Sequence, residues 1–316
     1  MILSYEQIKQ ITVGAVYIED SDERMSFFKY GPEMLKAWKD FDDVFTSRTR
    51  ATTGIRLDFH TNSKRMTVNI EEPAKFEIYI DGMFRYTMTE TDSLSIDIDT
   101  PRGQSLDDAH ITIYFPAHKH GRFNSLELDD GAYVRPHSFD KKILFLGDSI
   151  TQGWDTFFDS LSFANKVSRY FNAESVIQGV GGSCFFPQFL EKIPFDPEWV
   201  VVAYGTNDFN RYSDDEPKLL SLMSEYMEKL KKLYGDKRIF VLSPIWRRLS
   251  KPETRQRFER LRKAIADTAE KNGFVHIDGS LLVPPINALY TDGLHPNDIG
   301  FSLYAENLVA EIEKHI

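Results

Sequence analysis

The sequence predicts two folds in one chain. An antiparallel β-sandwich spans residues 1–135, and an α/β domain with a parallel sheet covered by helices on both faces spans residues 136–316. Three observations lead there. The chain has 316 residues, which at roughly 100–200 residues per domain suggests two domains or one large one. In the first part, apolar residues recur at every second position, the period of a strand with one buried face. In the second part, apolar runs of strand length alternate with helical spacing, as a sheet buried on both faces requires.

The alternation is clearest at Met66, Val68 and Ile70, then at Phe76, Ile78 and Ile80. It recurs at Leu94, Ile96 and Ile98, and at Ile111, Ile113 and Phe115. Turn signals separate these runs. Asp81-Gly82 between two of them is a hairpin signal. Thr100-Pro101-Arg102-Gly103 and Lys119-His120-Gly121 mark further bends. Pro32 to Trp38 fits a short helix or another strand. Many short strands with few helices define a sandwich.

After Gly131 the pattern changes. Lys141 to Leu146 is an apolar run of strand length, and Ser160 to Phe171 fits a helix. Glu174 to Val180 and Trp199 to Tyr204 are strands. Asp214 to Tyr234 carries Leu219, Leu222, Met223, Tyr226, Leu230 and Leu233 at helical spacing. Arg238 to Trp246 returns to strand. Pro252 to Lys271 is a charged amphipathic helix with Phe258, Leu261, Ile265 and Ala269 on one side, and Gly273 stops it. Phe274 to Ile277 is a short strand. The last helix starts at about Asn297 and carries Ile299, Leu303, Tyr304, Leu308 and Ile312.

Composition narrows the function. The chain is 41% hydrophobic and 27% charged, which supplies a sizeable core and excludes disorder as the dominant state. Its 38 basic and 48 acidic residues give a formal charge of −10. Such a surface repels phosphate backbones and anionic lipid, so nucleic acid and membrane are not expected as partners. No apolar run of about 18 residues predicts a transmembrane helix. The start, Met1-Ile2-Leu3-Ser4, lacks the pattern of a signal peptide, and a cytoplasmic location is expected. The single cysteine, Cys184, excludes an intrachain disulfide framework and a Cys-based zinc site.

In parallel α/β sheets the functional loops lie beyond the carboxyl ends of the strands. Four segments fall there: Gly147-Asp148-Ser149, Gly179-Val180-Gly181-Gly182-Ser183, Gly205-Thr206-Asn207-Asp208, and Asp292-Gly293-Leu294-His295-Pro296 before the last helix. Together they supply a hydroxyl, an imidazole, a carboxylate and several hydrogen-bond donors, the inventory for acyl transfer by an activated serine.

These four blocks, in this order, resemble the conserved blocks of the SGNH (GDSL-type) hydrolase superfamily. The resemblance covers about residues 140–316 and implies a flavodoxin-like fold. It implies that Ser149 is the nucleophile, His295 its base and Asp292 the residue that orients the imidazole. An oxyanion hole would comprise the Ser149 backbone N–H, the Gly182 N–H and the Asn207 side-chain amide, with Gly181 as the alternative glycine. The chain departs from the family pattern where Ile177-Gln178 stand in place of the usual Asn ahead of the glycine block. Asp148 is implied to be structural, holding the loop by hydrogen bonds.

Other features have plainer explanations. Ser183 misses the final glycine of Gly-x-Ser-x-Gly and reads as a loop serine. Gly179-Val180-Gly181-Gly182 lacks the third glycine of a dinucleotide fingerprint, because Cys184 stands there. Cys184 itself reads as a small buried hydrophobe. His118 and His120 read as a surface loop. Trp154 and Trp246 each follow a strand end and are candidates for the substrate pocket or for core packing. Trp38 and Trp199 read as structural. The basic stretch from Trp246 to Lys251 reads as a solvated loop.

The resemblance therefore implies a serine esterase that cleaves a small or medium acyl ester through an acyl-enzyme on Ser149, with neither cofactor nor metal. The placement of the β-sandwich resembles accessory domains of carbohydrate deacetylases and of an acyltransferase branch, which implies a sugar ester substrate. Those deacetylases often lack the Asp, and this chain has Asp292. Two alternatives stand beside it. One is acyl transfer to an acceptor other than water, using the same residues. The other is a catalytically silent carbohydrate-binding protein. A neutral imidazole is needed to accept the serine proton, so kcat/KM is expected to rise with pH through the imidazole titration. Fold and family do not fix the substrate.

Overall fold

The computed structural model describes residues 1–21, 24–100, 103, 104 and 106–316. Pro101 and Arg102 of the expected bend lie outside the described residues. The chain divides into two compact units, Met1–Phe139 and Asp140–Ile316.

The first unit contains β1 (Thr12–Val13), β2 (Tyr17–Ser21), β3 (Arg24–Phe28), β4 (Arg56–Thr61), β5 (Arg65–Ile70) and β6 (Glu77–Ile80). It continues with β7 (Met83–Thr87), β8 (Ser93–Asp97), β9 (Ala109–Tyr114), β10 (Arg122–Leu128) and β11 (Arg135–Pro136). One antiparallel sheet runs β1-β4-β9-β6-β7, with β11 also paired to β4. The other runs β2-β3-β10-β5-β8. The alternating residues make the core between the sheets: Leu57, Phe59, Ile78, Ile111 and Ile113 from one, Met25, Phe27, Met66, Val68 and Phe123 from the other. This is the expected sandwich. Asp81 and Gly82 join β6 to β7 with φ of 51° and 73°. Two positive φ values are what a two-residue hairpin turn of matching twist needs. Helices α1 (Tyr5–Gln10), α2 (Pro32–Phe41) and α3 (Val44–Arg50) complete the unit. Pro32 at the first turn suits a helix start, so this stretch is helix rather than strand. His118 is exposed, but His120 is half-buried and packs on Phe28, with ring centroids 4.7 Å apart.

The second unit builds on β12 (Lys141–Gly147), α4 (Ser149–Gln152), α5 (Phe163–Tyr170), β13 (Ala173–Gly179), β14 (Trp199–Ala203) and α6 (Thr206–Arg211). It closes with α7 (Glu216–Tyr234), β15 (Arg238–Leu242), α8 (Pro252–Lys271), β16 (Val275–Ile277) and α9 (Asp298–Glu313). The sheet order is β13-β12-β14-β15-β16, parallel throughout. Numbered from the start of this unit it is 2-1-3-4-5, the flavodoxin-like order. Ile143, Phe145, Val201 and Phe240 face one core, which α5 and α9 cover. There Phe163 stacks on Tyr304 at 4.1 Å between ring centroids. The alternate set, Leu144, Val200, Val202 and Val241, is equally buried, and α8 packs against β15 and β16.

The expected strand from Arg238 to Trp246 stops at Leu242. Pro244 has no N–H for a ladder, so Ser243 to Trp246 run on as loop. Register brings the strand ends level: Gly147 lies beside Gly179 and Ala203, and Ala203 beside Leu242. The first three candidate segments therefore leave the same edge of the sheet.

Candidate active site

The first segment is a strand that turns at once into a helix. Gly147 and Gly179 make that possible. A Cβ on Gly147 would lie 2.0 Å from Thr151 Oγ1, and one on Gly179 would lie 2.4 Å from the Gln152 backbone N. Asp148 caps α4, its Oδ1 accepting from the Ile150 N–H at 2.9 Å. This is the structural role expected for it. Burial pushes the Asp148 carboxyl up to about 6, against the pull of that N–H. Ser149 is then the first residue of α4, where backbone N–H groups have no partner within the helix.

The segment before α9 is a compact turn. Thr291 N–H donates to His295 O at 3.0 Å, and Tyr290 bridges to Pro296. Asp292 Oδ1 accepts from the N–H groups of Leu294 and His295, each at 2.8 Å. Its Oδ2 lies 2.9 Å from His295 Nδ1. Burial opposes ionisation of Asp292, but the His295 N–H, the His295 ring and the Leu294 N–H together hold its carboxyl below the usual range. A carboxylate only accepts, so Nδ1 carries the proton and Nε2 of the neutral ring is an acceptor. That Nε2 lies 2.9 Å from Ser149 Oγ. Ser149, His295 and Asp292 thus form an unbroken relay across 146 positions of sequence.

The donors come from the two middle segments. Gly181 gives its N–H to Gln152 Oε1 at 2.8 Å. Gly182 has φ of 81°, and its N–H has no hydrogen-bond partner among the described residues. The same holds for the Ser149 N–H. Asn207 Nδ2 donates one hydrogen to Ser183 O at 3.1 Å, which leaves its second hydrogen. Asp208 ties these segments together, accepting from Phe185 N–H at 2.9 Å and Gly205 N–H at 3.1 Å. It is wholly buried, and that burial pushes its carboxyl up to about 7.

Trp154 lies against the imidazole, its ring centroid 6.2 Å from that of His295 at 30°. Its Nε1 donates to Gln152 Oε1 at 3.2 Å. Trp246 is half-buried and packs on Tyr290 at 4.9 Å. Ser183 Oγ donates to Gly147 O at 3.2 Å, and Cys184 is buried, its thiol pushed up by that burial. Two residues at the site were not singled out from sequence. Gln152 holds both Gly181 and Trp154, and Asp155 Oδ2 lies 3.8 Å from His295 Nδ1. No short pattern marks them, because Gly181 and His295, which they meet, come from distant segments.

Among the described residues, two groups bring His and carboxylate ligand atoms within 4.8 Å of one another. The first, Asp155, Asp292 and His295, comprises two members of the relay and the neighbouring Asp155 carboxylate. His60, His110 and His137 belong to the first unit. His60 Nε2 meets His137 Nδ1 at 2.9 Å with rings inclined by only 14°, while His110 stacks on both at 4.7 and 4.2 Å. Parallel rings do not converge their lone pairs on one ion. The cluster is a hydrogen-bonded stack.

A doubly wound parallel sheet with a serine, an imidazole and a carboxylate in line at its carboxyl edge defines a hydrolase-type α/β protein. The chain belongs to the GDSL-like lipase/acylhydrolase family, whose model matches residues 145–303, half of its length. No curated protein matches it. Solved structures with the SGNH hydrolase fold resemble it along most of both chains. A salicylyl-acyltransferase, SsfX3, from a tetracycline biosynthetic pathway superposes with TM-score 0.79 at 19% identity, covering 96% of this chain and 94% of that one. A family two carbohydrate esterase from Clostridium thermocellum, in complex with cellohexaose, gives 0.66 at 17%, covering 84% and 93%. An acetyl xylan esterase from the rumen bacterium Butyrivibrio proteoclasticus gives 0.61 at 15%, covering 83% and 89%. Among the described residues no helix is long and apolar enough to cross a membrane.

Proposed function

We propose that the protein is a serine esterase that cleaves a small or medium acyl ester, with a sugar ester as the substrate class. The observation that carries this is the relay of two 2.9 Å contacts, Ser149 Oγ to His295 Nε2 and His295 Nδ1 to Asp292 Oδ2. A serine hydroxyl is a weak nucleophile until a base takes its proton. Here Oγ attacks the ester carbonyl as its proton passes to Nε2, and Asp292 stabilises the imidazolium that forms. The carbonyl oxygen becomes an oxyanion, facing the N–H groups of Ser149 and Gly182 and the second hydrogen of Asn207 Nδ2. The tetrahedral intermediate collapses, the C–O bond breaks, and the imidazolium returns the proton to the departing alcohol. Water then repeats the sequence on the acyl-enzyme. Its proton goes to Nε2, the acid leaves, and Ser149 regains its hydrogen. The carbohydrate component of the proposal is supported by the carbohydrate esterases among the structural neighbours.

A second proposal, acyl transfer to an acceptor alcohol, is favoured by the salicylyl-acyltransferase, which matches 96% of this chain. The same residues serve, and the acceptor hydroxyl replaces water in the second half. A silent carbohydrate-binding protein has no use for an intact relay. Acetylated sugars and 4-nitrophenyl acetate, assayed with and without acceptor alcohols, separate the three. Release of acetate that Ser149→Ala lowers by about 10³-fold or more supports the esterase. Ester formed on the acceptor moves the protein to the transferase. Saturable sugar binding with no turnover contradicts both.

A further inference from the structure

Two carboxylates face the imidazole, and only one belongs to the relay. Asp292 Oδ2 is 2.9 Å from His295 Nδ1, and Asp155 Oδ2 is 3.8 Å from the same nitrogen. Asp155 is attached to the triad turn as well. Thr291 Oγ1 donates its one hydrogen to Asp155 Oδ2, with His295 O also 3.3 Å from that hydroxyl, and the Thr291 N–H donates to His295 O at 3.0 Å. The backbone at Asp155 has φ of 70°, in the left-handed region that L-residues seldom adopt, although Asp and Asn tolerate it best. Strain of this kind persists where the surroundings over-determine it, and it clusters at functional sites. Trp154, the preceding residue, lies beside the same imidazole, with ring centroids 6.2 Å apart.

We propose that Asp155 is a second positioning carboxylate for His295. It braces the triad turn through Thr291 and adds a second negative charge beside Nδ1, so that it takes over part of the role of Asp292 when that residue is lost. The proposal rests on the esterase reading for its catalytic meaning. Other charged groups bear on the imidazole too. Asp292 lies on its own turn, and the carboxyl of Asp148, the cap of α4, interacts with it through space. Arg247, on the segment after β15, opposes both of these. Among the described residues none of these three bonds to Thr291, and Asp155→Asn leaves their own charges in place.

Asp155→Asn tests the charge while keeping tolerance of the left-handed backbone and an oxygen for Thr291. Thr291→Val tests the brace while keeping the charge. Removing an anion beside the imidazole makes the imidazolium less favourable, so protonation needs a lower pH. The acid limb of kcat/KM for 4-nitrophenyl acetate should move down by roughly half to one pH unit in Asp155→Asn, a small shift because Asp155 is partly exposed. In Thr291→Val it should stay in place. Asp155→Asn should lower kcat/KM about threefold in the wild-type background and tenfold or more in the Asp292→Asn background, a coupling a double-mutant cycle reads directly. The His295 ring titration followed by NMR, assigned with His295→Gln, should show the same shift without any turnover. An unmoved limb, an unmoved NMR titration and equal losses in both backgrounds would overturn the proposal and leave Asp155 as a loop residue. If the wild type turns over no ester, the esterase reading fails by itself. The NMR titration then still decides whether Asp155 acts on His295.

Discussion

Asn207 illustrates how little separates a structural amide from a catalytic one. One of its hydrogens fixes the side chain to Ser183 O, and the other is the one the proposed reaction would use at an oxyanion. A donor held in advance costs no reorganisation when charge develops, and removing one typically costs about 10²–10³ in kcat. Asn207→Ala should therefore lower kcat by that factor with KM nearly unchanged, because the interaction strengthens only in the transition state. Steady-state kinetics on 4-nitrophenyl acetate would check it. A rise in KM at constant kcat would instead make Asn207 a substrate-binding residue. Ser149, Asp292 and His295 were legible in the sequence because each sits in a short local pattern. Asp155 was not, because its bond to Thr291 spans 136 positions and only the folded sheet edge brings the two together.

The elements that could be read were those long enough to show a period. Helix α8 runs over Pro252–Lys271 as its spacing indicates, and Phe258, Leu261, Ile265 and Ala269 are all buried. The short helices α4 and α6 escaped, since four and six residues hold too few turns to repeat a face. In α9, Ile299 fits the apolar spacing yet is 64% exposed, because the buried stripe runs through Phe301, Tyr304, Ala305, Leu308 and Ile312 and a residue two places before Phe301 points about 200° away from it. The close seat of α4 on the sheet depends on glycine. At Gly179 a Cβ would meet Gln152 backbone, which cannot swing aside as a flexible side chain could. Gly179→Ala should destabilise the second unit by about 1–3 kcal/mol through overpacking. Urea denaturation would measure it, and a loss below about 0.5 kcal/mol would show that α4 has room to move.

Across the whole molecule, stability depends on pH through buried groups of opposite sign. In the first unit, burial, with Arg122 and Arg50 nearby, lowers the His120 imidazole to about 4. Unfolding returns it to its ordinary range, so the unfolded chain binds the proton first. Stability is therefore present above about 6.5 and drains away as pH falls toward 4. In the second unit, Asp208 is raised to about 7, so its contribution is present below its ordinary range and is lost as pH rises through 7. His120→Gln removes the first effect alone. Between pH 7 and pH 5 its unfolding free energy should gain roughly 2 kcal/mol on the wild type. Parallel curves at the two pH values would show that His120 stays solvated. None of this was visible in sequence, where His118 and His120 read alike as surface residues and only packing against Phe28 sets them apart.

The central claim, that Ser149 is an activated nucleophile, is tested most directly with a fluorophosphonate probe and mass-spectrometric mapping of the labelled peptide. Stoichiometric label on Ser149, absent in Ser149→Ala, is the predicted result. A folded protein that takes no label, or takes it on another serine such as Ser183, would contradict it.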